Sequence, residues 1–236
     1  MRRLEDFQIQ AQPDDITCGP ACLHGVYSYF GDEIPLARLV EEITMLEEGG
    51  TLEVLLGIHA LRRGYRVTLY TYNLRVFDPT WFRDPAMLGA KLRAQIDVHP
   101  KPKVALASRA YVEFLALGGE IRFQDLTAAL LREPLKRGIP ILTGLSATFL
   151  HRSAREIPGT NAEDDVLGAP VGHFVVLCGY DPESREVRVA DPMEPVPSDR
   201  SRIYDLPIER VMGAILLGVL TYDANLLLIE PGRRSA

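Results

Sequence analysis

Apolar residues recur every three or four positions in several stretches of the chain, which is the spacing of an amphipathic helix. The first predicted helix covers residues 18–30 and carries four apolar residues on one face: Cys22, Val26, Tyr29 and Phe30. Thr17 is expected to cap its start, and Gly31 is expected to end it. A helix therefore begins at the first cysteine of the chain.

Later stretches predict more helices and then a sheet. Five further helices are predicted, one after Pro35 and the others near 51–63, 86–97, 125–137 and 207–217. Strands are predicted for the runs VTLYTY, PILTGLS, HFVVLCGY, REVRVAD and NLLLIE, and DPES forms a hairpin turn between the third and the fourth. Helices come first and most strands later, which predicts an α+β fold.

Nothing in the sequence divides the chain into parts. It contains no internal repeat and no linker rich in Gly, Pro or Ser, so a single domain is predicted over residues 1–236. The polar segment 147–171 contains two prolines and is predicted to be a long loop. Loops of this length are usually functional or disordered.

Composition and charge narrow the possible partners. Apolar residues make up 47% and charged residues 25%, with a net charge of −6, which argues against nucleic acid or an anionic membrane as a partner. No stretch approaches the roughly 20 apolar residues of a membrane helix, and the N-terminus does not resemble a secretory signal. Three cysteines are too few for a disulfide framework, so a cytoplasmic protein is expected. The oligomeric state stays open.

Two of the cysteines, Cys18 and Cys22, lie four positions apart in TCGPAC. A thioredoxin-like redox pair would follow a strand in a βαβ unit, and little sequence precedes Cys18. A zinc site needs four ligands, and His24 lies on a different helix face, so neither a metal nor another cofactor is expected.

A nucleophilic role for Cys18 agrees better with its position. The N-terminus of a helix stabilises a thiolate, and Gly19 would let a substrate carbonyl approach the backbone. Cys22 and Cys178 are interpreted as core residues. A buried structural thiol remains the alternative for Cys18.

A thiolate needs a base, and the base needs a group that orients it. His173 opens a strand and Asp191 ends the next one, so a turn at DPES would bring both to the same end of a hairpin. We expect Asp191 to hold the imidazole through Nδ1–H and Nε2 to face the sulfur. A surface histidine and an ordinary Asp-Pro turn are the alternatives.

The stretches QPDDITCGPACL and YFG, together with GHFVVLCGYD and VRVADP, resemble the bacteriocin-processing, double-glycine cysteine peptidases and their stand-alone relatives. This is family thirty-nine of clan CA, within the papain-like superfamily. The resemblance implies a nucleophile at Cys18, a general base at His173, an orienting Asp191 and an oxyanion donor at Gln12. It also implies a papain-like fold, with the N-terminal helix packed on a C-terminal antiparallel sheet. Thr17 replaces the family's usual Asp.

The implied activity is that of a soluble thiol hydrolase that cleaves a peptide-like amide through an acyl-enzyme. The chain contains no Walker A motif, so export-coupled leader cleavage is not expected. An acyltransferase or transpeptidase with the same triad, and a catalytically inactive binding domain, are the alternatives.

Two segments, at about 75–120 and 147–171, look like additions to the family's domain. The second is expected to border the cleft, where charged side chains could contact a substrate or simply face solvent. These side chains are His151, Arg152, Arg155, Glu163, Asp164 and Asp165.

Overall fold

The computed structural model describes residues 3–47, 49–99, 101–194, 201–222 and 224–232. The helices in these ranges are α1 (Cys18–Phe30), α2 (Leu36–Glu42), α3 (Glu53–Arg62), α4 (Leu88–Val98), α5 (Pro102–Ala116), α6 (Ala128–Lys136), α7 (Ala147–His151) and α8 (Ile208–Leu217). The strands are β1 (Arg66–Thr71), β2 (Glu120–Arg122), β3 (Ile141–Ser146), β4 (Glu156–Ile157), β5 (Ala162–Glu163), β6 (Gly172–Asp181), β7 (Glu186–Ala190), β8 (Ile203–Pro207) and β9 (Asn225–Glu230). Within the described ranges, no helix has the length and apolar character needed to cross a bilayer.

Seven strands form one sheet in the order β2-β1-β9-β3-β6-β7-β8. The pair β1 and β2 is parallel, and every other neighbouring pair is antiparallel. Strands β4 and β5 form a separate two-stranded hairpin. The predicted α+β class is confirmed.

The sheet is covered by helices on both faces. On β6, Phe174 and Val176 belong to the apolar cluster packed with α1, α3 and α5, whereas Val175 and Leu177 belong to the cluster packed with α6 and α8. Successive side chains of a strand point to opposite faces, which explains the continuous apolar run in β6. The N-terminal helix α1 packs directly against β6, as expected for the papain-like arrangement.

Helix α1 has the predicted bounds but not the predicted cap. Gly31 ends it in the left-handed conformation, with φ 78°. Thr17 makes no side-chain capping bond, because its hydroxyl donates instead to the carbonyl of Asp14 at 3.2 Å. Thr17 therefore stabilises the loop before the helix.

The predicted hairpin between β6 and β7 is present. Val176 pairs with Ala190, and the register shifts between Leu177 and Gly179. At the turn, the Asp181 carboxylate accepts a bond from the backbone of Glu183 at 2.9 Å. The hairpin therefore brings the residue after β7 close to the start of β6.

Other elements differ from the sequence prediction. Helix α5 and strands β2 and β8 were not predicted, and α5 packs against α3. The segment 147–171 is not a bare loop, since it contains α7 and the β4–β5 hairpin. The interpretation of 75–120 and 147–171 as additions to the family's domain stays a prediction.

Candidate active site

Cys18 is the first residue of α1 and is 8% exposed. The loop before it is held by its own hydrogen bonds. Asp14 accepts the backbone N–H of Ile16 at 3.0 Å through its carboxylate, and its carbonyl accepts the side-chain amide of Gln12 at 2.8 Å. These bonds fix the backbone that leads to the thiol.

His173 is the second residue of β6, and its side chain is 3% exposed. Its Nε2 lies 2.7 Å from Oδ1 of Asp191, which follows β7. Cys18 lies close enough to the ring to raise the pKa of His173. The expected assignment of the ring nitrogens was therefore wrong: Nε2 faces Asp191, which leaves Nδ1 for the sulfur.

The Asp191 carboxylate is fully buried and is surrounded by donors. Oδ1 accepts from His173 and from the backbone N–H of Met193 at 3.0 Å. Oδ2 accepts from the hydroxyl of Tyr204 at 2.6 Å and lies 3.3 Å from Nε2 of His151. Four groups on four segments of the chain therefore hold this carboxylate.

Opposite charge outweighs burial at this pair. Burial alone would raise the pKa of Asp191, but the charge of His173, the nearby His151 ring and the hydrogen bonds from His173 and Tyr204 hold this pKa well below its usual range. Burial alone would lower the pKa of His173, but Asp191 and then Cys18 raise this pKa to about 10. The pair is therefore an imidazolium and a carboxylate at neutral pH.

The other two cysteines are core residues, as expected. The Cys22 thiol donates to the carbonyl of Phe174 at 3.2 Å, and burial raises its pKa well above the ordinary value. Burial also raises the pKa of Cys178 to about 12. All three cysteines are free thiols, and Cys22 and Cys178 stay protonated at neutral pH.

Gln12 lies beside both parts of the site. Its backbone N–H donates to the carbonyl of Pro192 at 2.8 Å, next to Asp191. One hydrogen of its side-chain amide bonds to Asp14, and its Oε1 is buried without a hydrogen-bond partner among the described residues. Its role as an oxyanion donor stays a prediction.

The space beside Gly19 is filled by protein. A Cβ at this position would lie 2.8 Å from Cγ2 of Thr51 and 3.3 Å from side-chain atoms of Leu56 and Phe174. The absence of a side chain therefore serves the packing of α1, and the approach of a substrate carbonyl to the backbone here stays a prediction.

Two residues of the site were missed by the sequence analysis. His151 was placed among surface charges, yet its side chain is 1% exposed and lies against Asp191. Tyr204 lies on β8, and the alternation of buried and exposed positions in IYDLP could have predicted that strand. No local pattern around His151 indicates its partner.

The segment 147–171 borders the site, as expected. The side-chain amide of Asn161, at the tip of the β4–β5 hairpin, donates to Asp15 at 2.7 Å. The Arg155 side chain forms hydrogen bonds within its own segment, to the backbone carbonyls of Asp165 and Val166. In the described part of the chain, no three His, Cys, Asp or Glu side chains are arranged to hold a metal ion.

The profile of the Peptidase_C39 like family matches residues 4–213 of this sequence. This chain belongs to the Peptidase_C39 like family. The resemblance to family thirty-nine is therefore confirmed. The roles of Gln12, Cys18, His173 and Asp191 stay predictions for this family member.

Solved structures resemble this Peptidase_C39 like chain over nearly its whole length. The peptidase domain of Streptococcus ComA, described as a bi-functional ABC transporter of a quorum-sensing pathway, is 15% identical with a TM-score of 0.46, covering 95% of this chain and 98% of that one. A putative C39-like peptidase from Bacillus anthracis is 15% identical with a TM-score of 0.49, covering 96% of each chain. Xylellain, a cysteine protease from Xylella fastidiosa, is 14% identical with a TM-score of 0.41, covering 97% of this chain and 84% of that one. No curated protein matches the sequence significantly.

Proposed function

We propose that this chain is a cysteine peptidase or amidohydrolase that cleaves a peptide-like amide. Cys18 is the nucleophile, His173 the general base and Asp191 the group that orients the base. The observation that carries the proposal is the buried imidazole of His173, which lies 2.7 Å from Asp191 and close enough to Cys18 for that residue to raise its pKa. Nothing in the packing of a core requires a thiol, an imidazole and a carboxylate in this order.

In the proposed reaction, Nδ1 of His173 holds the proton of Cys18 in an ion pair, and the thiolate attacks the carbonyl carbon of the amide. The tetrahedral intermediate collapses to a thioester as Nδ1–H of His173 protonates the leaving amine. Nδ1 then removes a proton from water, whose oxygen attacks the thioester; the carbon–sulfur bond breaks, the acid is released and the Cys18 thiolate returns beside the protonated His173. Asp191 keeps the proton of the neutral ring on Nε2 and stabilises the imidazolium in both steps.

The oxyanion would be bound by the backbone N–H of Cys18 and by the side-chain amide of Gln12. Loss of one such donor typically costs about 3 kcal/mol, roughly a hundredfold or more in rate. Gln12→Ala should therefore reduce turnover by this factor without affecting folding. Unchanged turnover would contradict the assignment of Gln12.

The proposal includes the cytoplasm as the site of action. Three free thiols suit a reducing compartment.

The first test is the pH dependence of iodoacetamide alkylation, followed at each cysteine by mass spectrometry. Cys18 should react well below the ordinary thiol pKa of about 8.5, and His173→Ala should abolish this reactivity. Cys22 and Cys178, both buried with raised pKa values, are internal controls that should stay inert.

A second measurement concerns the acceptor of the acyl group. Product analysis with an added amine distinguishes hydrolysis from transfer, since a transferase would form the new amide. If Cys18 instead titrates like a free thiol, the catalytic proposal fails and an inactive binding domain becomes the better interpretation.

A further inference from the structure

A second imidazole lies against the carboxylate of Asp191. Nε2 of His151 is 3.3 Å from Oδ2, on the side opposite His173, and the His151 side chain is 1% exposed. Its ring also meets that of Tyr204 edge-on, with 6.1 Å between the centroids. Asp191 therefore lies between two buried histidines.

Helix α7, which carries His151, is hydrogen-bonded to the residue just before β6. The backbone N–H of Ala147 donates to the carbonyl of Val171 at 2.9 Å, and the hydroxyl of Thr148 accepts the backbone N–H of Val171 at 3.0 Å. Val171 lies two residues before His173. The same strand start thus positions both imidazoles.

Burying a polar ring costs free energy unless a partner compensates for the lost water. Asp191 provides that compensation for His151, because its carboxylate is the acceptor beside Nε2. The contact is longer than the bond from Tyr204 and is not aligned as a hydrogen bond. The His151 ring and the Asp191 carboxylate therefore attract each other mainly through the N–H dipole of the ring and the negative charge of the carboxylate.

We infer that His151 is a positioning residue for the proposed triad. With Tyr204 it holds Oδ2 of Asp191, so that Oδ1 stays directed at Nε2 of His173. The inference rests on the proposed function, because it assigns His151 a role in orienting the base. It requires Nε2 of His151 to carry a proton.

The test compares His151→Leu, which removes the donor, with His151→Gln, whose amide nitrogen can replace Nε2–H. The readout is the alkylation rate of Cys18 by iodoacetamide at pH 6, with unfolding in urea as a check on folding. His59→Leu is the matched control, because His59 is also largely buried and contacts a carboxylate, Glu42, at 3.0 Å.

We expect His151→Leu to slow alkylation about 10-fold, because a buried charged acceptor is then left short of a partner. His151→Gln should recover most of the rate, and His59→Leu should leave it unchanged. If both His151 variants alkylate like the wild type while His173→Ala does not, the inference is wrong and the proposed function stands. If His173→Ala also reacts like the wild type, the triad and the inference fail together.

The unmodified protein provides a second test, which does not depend on the folding of a variant. Nitrogen-15 NMR of the histidine rings reports which nitrogen carries the proton. The inference requires a protonated Nε2 on both His151 and His173. A His151 ring protonated only at Nδ1 could not donate to Asp191 and would overturn it.

Discussion

His173 reaches Asp191 through Nε2, which lies 2.7 Å from Oδ1 of the carboxylate. The orientation decides which nitrogen remains for chemistry, since Nδ1 is left on the side of Cys18. The pair is buried on both sides, so its charges are screened little by water. Several measurable consequences follow from this pair and from the groups around it.

The first prediction concerns stability against pH. The pKa of His173 is raised to about 10, from about 6.5 in an unfolded chain. Its pairing with Asp191 thus stabilises the fold fully below about pH 6.5, and this contribution is lost as the pH rises towards 10. The difference in unfolding free energy between the parent and His173→Gln should shrink over this window.

Urea unfolding at several pH values measures this difference. Both proteins should carry Cys18→Ser, so that no thiol titrates beside the ring; because Cys18 also raises the pKa of His173, the loss should then begin at a lower pH than in the unmodified chain. Asp191 gives the opposite pH dependence, because its pKa is lowered in the folded protein. Its contribution to the free energy of unfolding is present above about pH 3.9 and is lost as the pH falls further. A difference that stays constant from pH 6 to 9 would contradict the ion pair.

The second prediction concerns the hydroxyl of Tyr204, which donates to the buried Asp191 at 2.6 Å. Tyr204→Phe should lower the free energy of unfolding by about 1.5–3 kcal/mol, because the lost hydrogen bond is to a charged acceptor. Tyr29→Phe is the matched control, since Tyr29 donates to the neutral carbonyl of Gly138 at 3.0 Å.

Tyr29→Phe should lower the free energy of unfolding by only about 0.5–1.5 kcal/mol, the usual range for a neutral hydrogen bond. Denaturant midpoints of the two variants give the comparison directly. Equal losses would indicate that Asp191 is not ionised in the folded protein.

The third prediction concerns the contact between Gly19 and Thr51. A Cβ at position 19 would lie 2.8 Å from Cγ2 of Thr51, so Gly19→Ala should destabilise the fold by about 1–3 kcal/mol through overpacking. Thr51→Ser removes this methyl group but keeps the hydroxyl that donates to the carbonyl of Thr44 at 2.8 Å.

A double-mutant cycle by urea unfolding tests the contact. Adding Thr51→Ser to Gly19→Ala should recover part of the lost stability, because the two side chains then no longer overlap. Additive effects would show that the strain lies elsewhere, at Leu56 or Phe174.

The fourth prediction concerns the bond between Asn161 and Asp15, at 2.7 Å. This bond joins the tip of the β4–β5 hairpin to the segment just before Cys18. Asn161→Ala should speed the labelling of Cys18 by a bulky maleimide more than its labelling by iodoacetamide, because access for the larger reagent depends on the tip.

Thr160→Ala is the control for this test, since the hydroxyl of Thr160 bonds within the hairpin, where it donates to the carbonyl of Ile157 and accepts the backbone N–H of Ala162. Removal of residues 156–168 should speed the labelling of Cys18 by the maleimide still more. Unchanged maleimide labelling in the deletion variant would exclude a role for this segment in covering the site.

Much of the fold near Cys18 follows from local patterns. The spacing of Cys22, Val26 and Tyr29 predicts α1 with its observed start and end. The turn at DPES and the two apolar runs beside it predict the β6–β7 hairpin, and hence the closeness of His173 and Asp191. These features are encoded by neighbours in the chain, because backbone hydrogen bonding sets their periods of 3.6 and 2.

Only the tertiary structure decides which groups complete the site. His151, Tyr204 and Asp191 come from three separate segments, and their meeting depends on how α7 and β8 pack against the sheet. The orientation of the His173 ring is likewise set by these long-range contacts. The sequence by itself thus determined α1, the β6–β7 hairpin and the candidate triad. Packing between distant segments selected which nitrogen of His173 faces Asp191 and which side chains hold the Asp191 carboxylate.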